Sequence, residues 1–261
     1  MKKIYFSFFI FLTPFYGEDI EPKYLCSHGK SASRWQAQNS TLNQNQEKID
    51  IKFYELNLDI DFNSSRIRGS VIVNGIIGNI HPDLLELDLH DNMTVDSILH
   101  NDIPISYVHE NDMLKIPISD ITLNNENLFS LTIFYQGTPD HCGAGGFKFD
   151  EHQNIGHVWT LSEAYCARSW WPCKDDPSDK ADSVNIIISV PLEPAYIVAS
   201  NGLLSSTTIN NNKKTYFWKE RYPITTYLVS LAIYPYTRWV DQYVSPISSD
   251  TMLIEHYVCL L

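Results

Sequence analysis

The alternation of apolar and polar residues at positions 50–62 constrains the fold of this chain more than any other sequence feature. An apolar side chain at every second position is typical of a β-strand with one buried face. The period slips once between Phe53 and Leu56, which predicts a β-bulge at positions 54–55. Apolar residues resume at 67–77 after a turn, so the segment predicts a β-hairpin.

Short apolar segments of the same kind recur along the rest of the chain, and turn residues such as Asn111-Asp112 separate them. They predict strands at residues 84–89, 93–99, 103–108, 113–118, 128–135, 156–161, 183–190, 197–200, 216–219, 226–234 and 252–258. Many short strands, with no internal repeat and no long amphipathic helix, indicate an all-β antiparallel sandwich or open barrel. The glycine-rich residues 142–146 are expected to form a flexible loop, because no Lys-Ser/Thr pair follows that would cradle a phosphate.

Composition supports a globular domain and excludes some partners. Hydrophobic residues make up 44% of the chain and aromatic residues 13%, which is enough for a sizeable packed core. The formal net charge of −12 argues against nucleic acid and anionic membrane surfaces, because their phosphates would be repelled. No segment after the first residues is long and apolar enough to predict a transmembrane segment.

The N-terminus has the pattern of a signal peptide. Lys2 and Lys3 precede a twelve-residue stretch at 4–15 that is mostly apolar and too short to span a bilayer. We therefore expect residues 1–17 to be a leader and the chain to be exported, to the periplasm or fully secreted; an uncleaved anchor or a buried β segment is the alternative. The polar residues 18–48 predict a flexible segment, and residues 49–261 predict the β domain.

The five cysteines do not by themselves define a disulfide pattern. Cys166 and Cys173 are close enough in sequence to pair in an oxidising compartment, but spacing alone does not establish a bond. An odd number leaves at least one thiol without an intrachain partner. No CxxC spacing is present, which argues against a structural zinc knuckle.

Residues 158–177 carry the most specific pattern in the sequence. They resemble the N-terminal domain of aminopeptidase N-like zinc peptidases, in which a T-Q-x-E-A segment leads through an arginine into a P-C-x-D-x-P turn. The matching positions here are Thr160, Glu163, Ala164, Arg168, Pro172, Cys173, Asp175 and Pro177. Residues 197–202 and 222–233 are similar to two further segments of that domain, one ending in S-N-G and one containing T-Y-L, in the same order.

The resemblance implies a saddle-like all-β domain and gives some of these residues a role. Glu163 matches the acidic residue that binds the free α-amine of the peptide substrate. Arg168 is expected to buttress the domain by pairing with a nearby carboxylate such as Asp175 or Asp176. Leu161 and Ser162 depart from the family pattern, which leaves the substrate preference open.

The tryptophans near this segment have two interpretations. Trp159, Trp170 and Trp171 are interpreted mainly as core residues, with the substrate-side wall as the alternative. The aromatic residues at 216–218 and 234–239 are likewise interpreted as packing residues.

The motifs of zinc chemistry are missing from these 261 residues. A zinc aminopeptidase needs H-E-x-x-H on a helix, yet the one His-Glu pair, His109-Glu110, is not followed by the second histidine. The G-A-M-E-N segment of the family is also absent. The sequence therefore predicts that this chain binds no zinc and is inactive alone. The resemblance implies zinc only for a missing catalytic domain, normally in the same chain, that acts on peptide N-termini.

A second interpretation belongs to a different functional class. The chain could be an exported, non-enzymatic β-sandwich module that binds a peptide or a carbohydrate. The apolar residues at 250–261 predict a strand that stops within the element, which favours an incomplete chain over such a module. Codons for G-A-M-E-N and H-E-x-x-H beyond Leu261 would decide for the peptidase.

Overall fold

The chain folds into β-strands joined by short turns, in a computed structural model that describes residues 42–124, 126–142 and 145–259. The first ten strands are β1 (Ile49–Asp61), β2 (Arg66–Ile77), β3 (Leu84–Asp88), β4 (Met93–His100), β5 (Ile103–Pro104), β6 (Val108–Glu110), β7 (Met113–Pro117), β8 (Leu128–Gly137), β9 (His141–Cys142) and β10 (Gly145–His152). The next ten are β11 (Ile155–Leu161), β12 (Lys180–Ala181), β13 (Ser183–Pro191), β14 (Ile197–Ser200), β15 (Leu203–Asn210), β16 (Lys213–Glu220), β17 (Ile224–Thr225), β18 (Leu231–Tyr234), β19 (Thr237–Val244) and β20 (Thr251–Val258). Short 3-10 helices occupy Gln46–Lys48, Ile118–Asp120, Ala167–Ser169 and Thr226–Leu228.

The strands form two main sheets and three smaller ones. An eight-stranded sheet has the order β15-β16-β13-β1-β2-β8-β4-β5, and a five-stranded sheet has the order β14-β18-β11-β10-β9. Strands β3, β7 and β6 form a third sheet, and the pairs β12-β17 and β19-β20 complete the set. Among the strands that the structure describes, β1 pairs with β13 in parallel and the other pairs are antiparallel. The predicted all-β fold is confirmed.

Buried residues from both main sheets form one hydrophobic core. The predicted core positions Trp170 and Trp171 are both 0% exposed, and Tyr216 and Trp218 are buried as well. The packing prediction fails for Trp239, which is 44% exposed on β19. The adjacent Trp170-Trp171 pair therefore anchors the segment that follows β11 in the core instead of lining an open wall.

The bulge in β1 lies two residues earlier than predicted. The register with β2 shifts between Ile51 and Phe53, so Tyr54 takes the buried position that the sequence assigned to Phe53. The hydroxyl group of Tyr54 accepts a hydrogen bond from the backbone N–H of Lys174 at 3.0 Å. A buried tyrosine is stable in this position because its polar end has a partner.

Two strands that the sequence did not predict are exposed on both faces. Every residue of β15 and of β19 is solvent-exposed, so neither strand needs an apolar face. Without one buried face the apolar–polar alternation that identifies a strand is absent. Both strands are held by hydrogen bonds to a neighbour, β16 and β20 respectively.

The glycine-rich segment is more regular than predicted. Cys142 of β9 pairs with Gly145 of β10, and Gly146 pairs with Leu161 of β11. The expectation of a flexible loop through residue 146 is therefore wrong for its last two glycines, which lie in a strand. A Cβ atom at Gly145 would lie 2.1 Å from the carbonyl oxygen of Leu161, so glycine allows the two backbones to approach closely.

We expect Gly145→Ala to lower the free energy of unfolding by about 1–3 kcal/mol, because backbone must move to accept the methyl group. Gly78→Ala is the matched control, since Gly78 is exposed and its added Cβ would lie 3.3 Å from the nearest atom, the Lys48 carbonyl oxygen. Urea denaturation measures both. Equal stability of the two variants would contradict the close approach at Gly145.

The predicted leader at 1–17, and residues 18–41 of the predicted flexible segment, lie outside the described residues. Within the described residues, the first strand begins at Ile49. Across the residues that the structure describes, no helix has the length and apolar character needed to cross a membrane.

Candidate functional site

Glu163 is the exposed residue of a turn that directly follows β11, the middle strand of the five-stranded sheet. The turn is closed by a hydrogen bond from the backbone N–H of Cys166 to the carbonyl oxygen of Ser162, at 3.0 Å. The Glu163 side chain is exposed, and within residues 42–124, 126–142 and 145–259 its carboxylate has no hydrogen bond or ion pair. The peptide bond from Glu163 to Ala164 is cis. The structure thus presents a carboxylate that is open to a ligand.

Buried contacts hold both ends of this turn. Ser162 is buried, and its hydroxyl oxygen accepts a hydrogen bond from the indole N–H of Trp170 at 3.1 Å. At the other end, the hydroxyl group of Ser169 donates to the carbonyl oxygen of Cys166 at 2.7 Å. The exposed carboxylate of Glu163 therefore projects from a turn whose two ends are held by buried hydrogen bonds.

A disulfide joins Cys142 of β9 to Cys166, with a Cα–Cα distance of 5.6 Å. The pairing of Cys166 with Cys173 that the spacing allowed is therefore wrong. Cys173 is a free, fully buried thiol because its backbone pairs with Asp88 of β3, which places it in the core. The sequence carried no signal for the role of Cys142, which is 24 positions from its partner.

Arg168 is the centre of a buried ionic network, as the sequence predicted in part. Its Nε lies 3.1 Å from Asp175 Oδ2, and its Nη1 lies 2.9 Å from Asp88 Oδ1. Of the two candidate partners, Asp175 and Asp176, the structure selects Asp175, whose side chain is 0% exposed and is neutralised by Arg168. Asp88 was not predicted as a partner, since it lies eighty positions away in the sequence.

The remaining oxygens of the two carboxylates are also satisfied. Asp88 Oδ2 accepts hydrogen bonds from the Gln46 side-chain amide and the Asp175 backbone N–H, both at 2.9 Å. Thr226 donates its hydroxyl hydrogen to Asp175 Oδ1 at 2.9 Å. Burial raises the pKa of both Asp88 and Asp175 above its ordinary value, while the charge of Arg168 opposes that shift.

Lys174 ties the same segment to the eight-stranded sheet. Its ammonium group donates to the carbonyl oxygen of Ile49 at 2.6 Å and lies 2.6 Å from Asp179 Oδ2. Together with the Tyr54 contact, these bonds connect residues after the Glu163 turn to the start of β1. Arg168 and Lys174 therefore act as structural cations and are not available to a ligand.

We expect Ser162→Ala to lower the free energy of unfolding by about 1–3 kcal/mol, because the buried indole N–H of Trp170 would lose its acceptor. Ser206→Ala is the matched control, as Ser206 is exposed on β15 and should tolerate the change within about 0.5 kcal/mol. Chemical denaturation followed by tryptophan fluorescence checks both. An unchanged midpoint for Ser162→Ala would contradict this support of the turn.

The described residues do not fit a zinc ion. No group of three or more His, Cys, Asp or Glu side chains within residues 42–124, 126–142 and 145–259 is placed to hold a metal. His152 and His157 flank the two-residue turn between β10 and β11, where Gln153 and Asn154 both have positive φ. The Nε2–H group of His109 donates a hydrogen bond to the Leu89 carbonyl oxygen at 2.9 Å.

Residues 50–228 match the sequence profile of the peptidase M1 N-terminal domain, which is more than half of the chain. The chain belongs to the peptidase M1 family. Leucine aminopeptidase 2 of Vanderwaltozyma polyspora is 30% identical to this M1 domain over 199 residues, which are 72% of this chain and 29% of that protein. Leucine aminopeptidase 2 of Candida glabrata is 28% identical over 202 residues, or 74% of this chain and 29% of that protein. The chain thus spans less than a third of the length of these curated relatives.

Solved structures share the fold of this chain. A mutant M1 zinc metallopeptidase of Deinococcus radiodurans, bound to a Tyr-Ser-Ala substrate, matches with a TM-score of 0.69 at 22% identity, over 83% of this chain and 49% of that chain. Yeast LTA4 hydrolase in complex with bestatin matches with a TM-score of 0.60 at 21% identity, over 80% of this chain and 33% of that chain. At these identities the likeness establishes the fold of the M1 N-terminal domain. The Glu163 role remains a prediction.

Proposed function

We propose that this chain is the substrate-contacting N-terminal domain of an exported, zinc-dependent aminopeptidase that removes N-terminal residues from peptides. In this proposal the Glu163 carboxylate accepts hydrogen bonds from the α-ammonium group of the substrate. The observation that carries it is an exposed, unpaired carboxylate on a turn that buried contacts fix in place. The M1 family membership of residues 50–228 supports the same role.

The chemistry of the pair explains why a fixed turn matters. A hydrogen bond between a carboxylate and an ammonium group is charge-assisted and about twice as strong as a neutral one. On an open surface such a pair contributes only about 0–1 kcal/mol, because water competes for both charges. The pair becomes selective once a second surface closes over it and excludes water. Glu163 alone therefore binds an amine weakly. In a closed pocket the same carboxylate would discriminate between peptides with and without a free N-terminal amine.

The zinc chemistry is assigned to a catalytic domain outside these residues. The described part of the chain lacks a suitable donor set, and the sequence lacks H-E-x-x-H, so no catalytic step is assigned to this chain. What these residues do in the proposal is bind and orient the peptide N-terminus. The acidic chain, with a formal charge of −12, also favours a cationic N-terminus over an anionic ligand.

Export is part of the proposal. The leader pattern at residues 1–17 directs it, and a disulfide between Cys142 and Cys166 fits an oxidising compartment. The periplasm and the extracellular space are equally compatible with these features.

The test uses the longest polypeptide encoded by the open reading frame that contains residues 1–261, including any residues encoded after Leu261. This polypeptide is purified with zinc. We expect it to hydrolyse a leucine arylamide and to leave the N-acetylated arylamide intact, because acetylation removes the positive charge that Glu163 binds. A chelator should abolish the activity. Absence of zinc-dependent hydrolysis, or equal rates on the two substrates, would contradict the proposal and favour the non-enzymatic binding module.

A further inference from the structure

We infer that the Cys142–Cys166 disulfide is a positioning device for Glu163. It attaches the turn that carries this carboxylate to the β9–β10 hairpin, so that the carboxylate is in place before a substrate arrives. The inference rests on the proposed function of Glu163. It assigns to two cysteines a role in substrate recognition that neither their spacing nor the family motif contains.

The disulfide holds the C-terminal end of the turn. Cys166 follows Glu163 by three residues, and its backbone N–H closes the turn onto Ser162. Cys142 is 4% exposed and Cys166 is 7% exposed, so the bond is buried beneath the turn. The covalent link spans 24 positions of sequence and bridges two elements that no backbone ladder joins at this point.

The same hairpin holds the N-terminal end of the turn. Leu161 is paired with Gly146 of β10, and Gly145 packs so closely on Leu161 that only glycine fits there. Gly145 is in turn paired with Cys142. Both ends of the Ser162–Cys166 turn are therefore attached to one rigid unit, by strand pairing before Glu163 and by the disulfide after it.

A turn fixed at both ends loses its conformational freedom during folding and not during binding. A ligand that meets an ordered carboxylate does not have to order the backbone as well, which raises its affinity. Without the disulfide, the strand pairing at Leu161 and the hydrogen bond from Ser169 to the Cys166 carbonyl oxygen remain, and the covalent anchor is lost. The expected consequence is a turn that opens locally while the sheets stay folded.

The first experiment follows amide hydrogen exchange in the 261-residue chain, by NMR, in the wild type and in the double variant Cys142→Ser/Cys166→Ser. We expect the amide of position 166 to exchange at least about tenfold faster in the double variant, relative to the amides of β1 and β2. Cys259→Ser removes a thiol that forms no disulfide and should leave this ratio unchanged. A ratio that is equal in wild type and double variant would overturn the inference.

A second route keeps the wild-type sequence, in case the double variant does not fold. Excess dithiothreitol reduces the S–S bond to two thiols and is itself oxidised to a cyclic disulfide, so the atoms and electrons balance. Mass spectrometry after alkylation reports the reduced cysteines. Reduction should raise the exchange rate of the Cys166 amide in the same way. No change after complete reduction would overturn the inference.

The third experiment separates positioning of Glu163 from general stability, in the zinc-loaded longest polypeptide. We expect the double cysteine variant to raise KM for a leucine arylamide by about fivefold to tenfold and to change kcat by less than about twofold. In a Glu163→Gln background the same double change should leave KM nearly unaltered, because the group that it positions is gone. An equal effect in both backgrounds would show a merely structural bond and overturn the inference.

The two hypotheses fail in distinguishable ways. If Glu163→Gln alone leaves KM and kcat unchanged, the proposed role of Glu163 fails, and the exchange experiment still decides whether the disulfide orders the turn. If Glu163→Gln impairs the enzyme and the cysteine variant does not, the role of Glu163 stands and the disulfide inference fails.

Discussion

Replacing Arg168 with alanine is expected to lower the free energy of unfolding by about 3–5 kcal/mol at neutral pH. The substitution leaves two buried carboxylates without their counter-charge, Asp175 with a side chain that is 0% exposed and Asp88 with one that is 5% exposed. An unpaired buried charge costs far more than the loss of a surface ion pair. Urea denaturation of the 261-residue chain measures the difference.

The deficit of Arg168→Ala should shrink as the pH falls. Burial already raises the pKa of Asp88 and Asp175 above its ordinary value, and removal of the arginine raises it further. Between the unfolded and the folded pKa the native state binds more protons than the unfolded chain, so stability falls as pH rises. We therefore expect a smaller loss at about pH 5 than at about pH 8.

Two controls make this result specific to the network. Arg68→Ala removes an arginine whose side chain is 71% exposed and lies 3.7 Å from Asp59, so its loss should cost less than about 1 kcal/mol. Arg168→Lys keeps the charge but cannot span both carboxylates with one planar group, and its stability should lie between those of wild type and Arg168→Ala. Equal stability of Arg168→Ala and Arg68→Ala would contradict the assignment of Arg168 as the counter-charge of two buried carboxylates.

The second large effect concerns catalysis by the zinc-loaded longest polypeptide. Glu163→Gln is expected to lower kcat/KM for a leucine arylamide by about 30-fold to 1,000-fold, which corresponds to about 2–4 kcal/mol. Glutamine keeps the size of the side chain and one acceptor oxygen, but it removes the charge that pairs with the α-ammonium group. The folded structure should be retained, since Glu163 is exposed and makes no hydrogen bond to the described residues.

Glu151→Gln is the matched control for this prediction. Glu151 is also exposed, and it lies at the far end of the β10–β11 hairpin that holds the Glu163 turn. The control removes the same charge from the same sheet and should change kcat/KM by less than about twofold. An equal and small effect of both substitutions would assign Glu163 to the ordinary charged surface.

The sequence predicted the structural features that depend on a local pattern of residues. Half-buried strands such as β2, which is buried at alternate positions, show their period directly in the order of residues. The exposed strand β15 could not be found this way, since it buries neither face. The bulge in β1 was misplaced by two residues because Phe53 and Tyr54 are both aromatic, and the contacts of Tyr54 with Trp171 and Lys174 are distant in the sequence.

The candidate site shows the same contrast between features that a local motif predicts and features that depend on contacts distant in sequence. A contiguous motif pointed to Glu163, whose role stays a prediction, and to Arg168 with Asp175 or Asp176 as its partner; the structure selects Asp175. Asp88 and Cys142 were missed because they reach the site through strand pairing across the fold. Partners that are distant in sequence are set by topology, which a single sequence read locally does not contain.

The most direct measurement compares two substrates on two enzymes. The substrates are a leucine arylamide and isocaproyl arylamide, which lacks only the α-amine, and the enzymes are the wild type and Glu163→Ala of the zinc-loaded longest polypeptide. If Glu163 binds the α-amine, the preference of the wild type for the amine in kcat/KM should fall by about tenfold to a hundredfold in Glu163→Ala. An identical preference in both enzymes would show that Glu163 and the α-amine do not interact, and would contradict the proposed role of this domain.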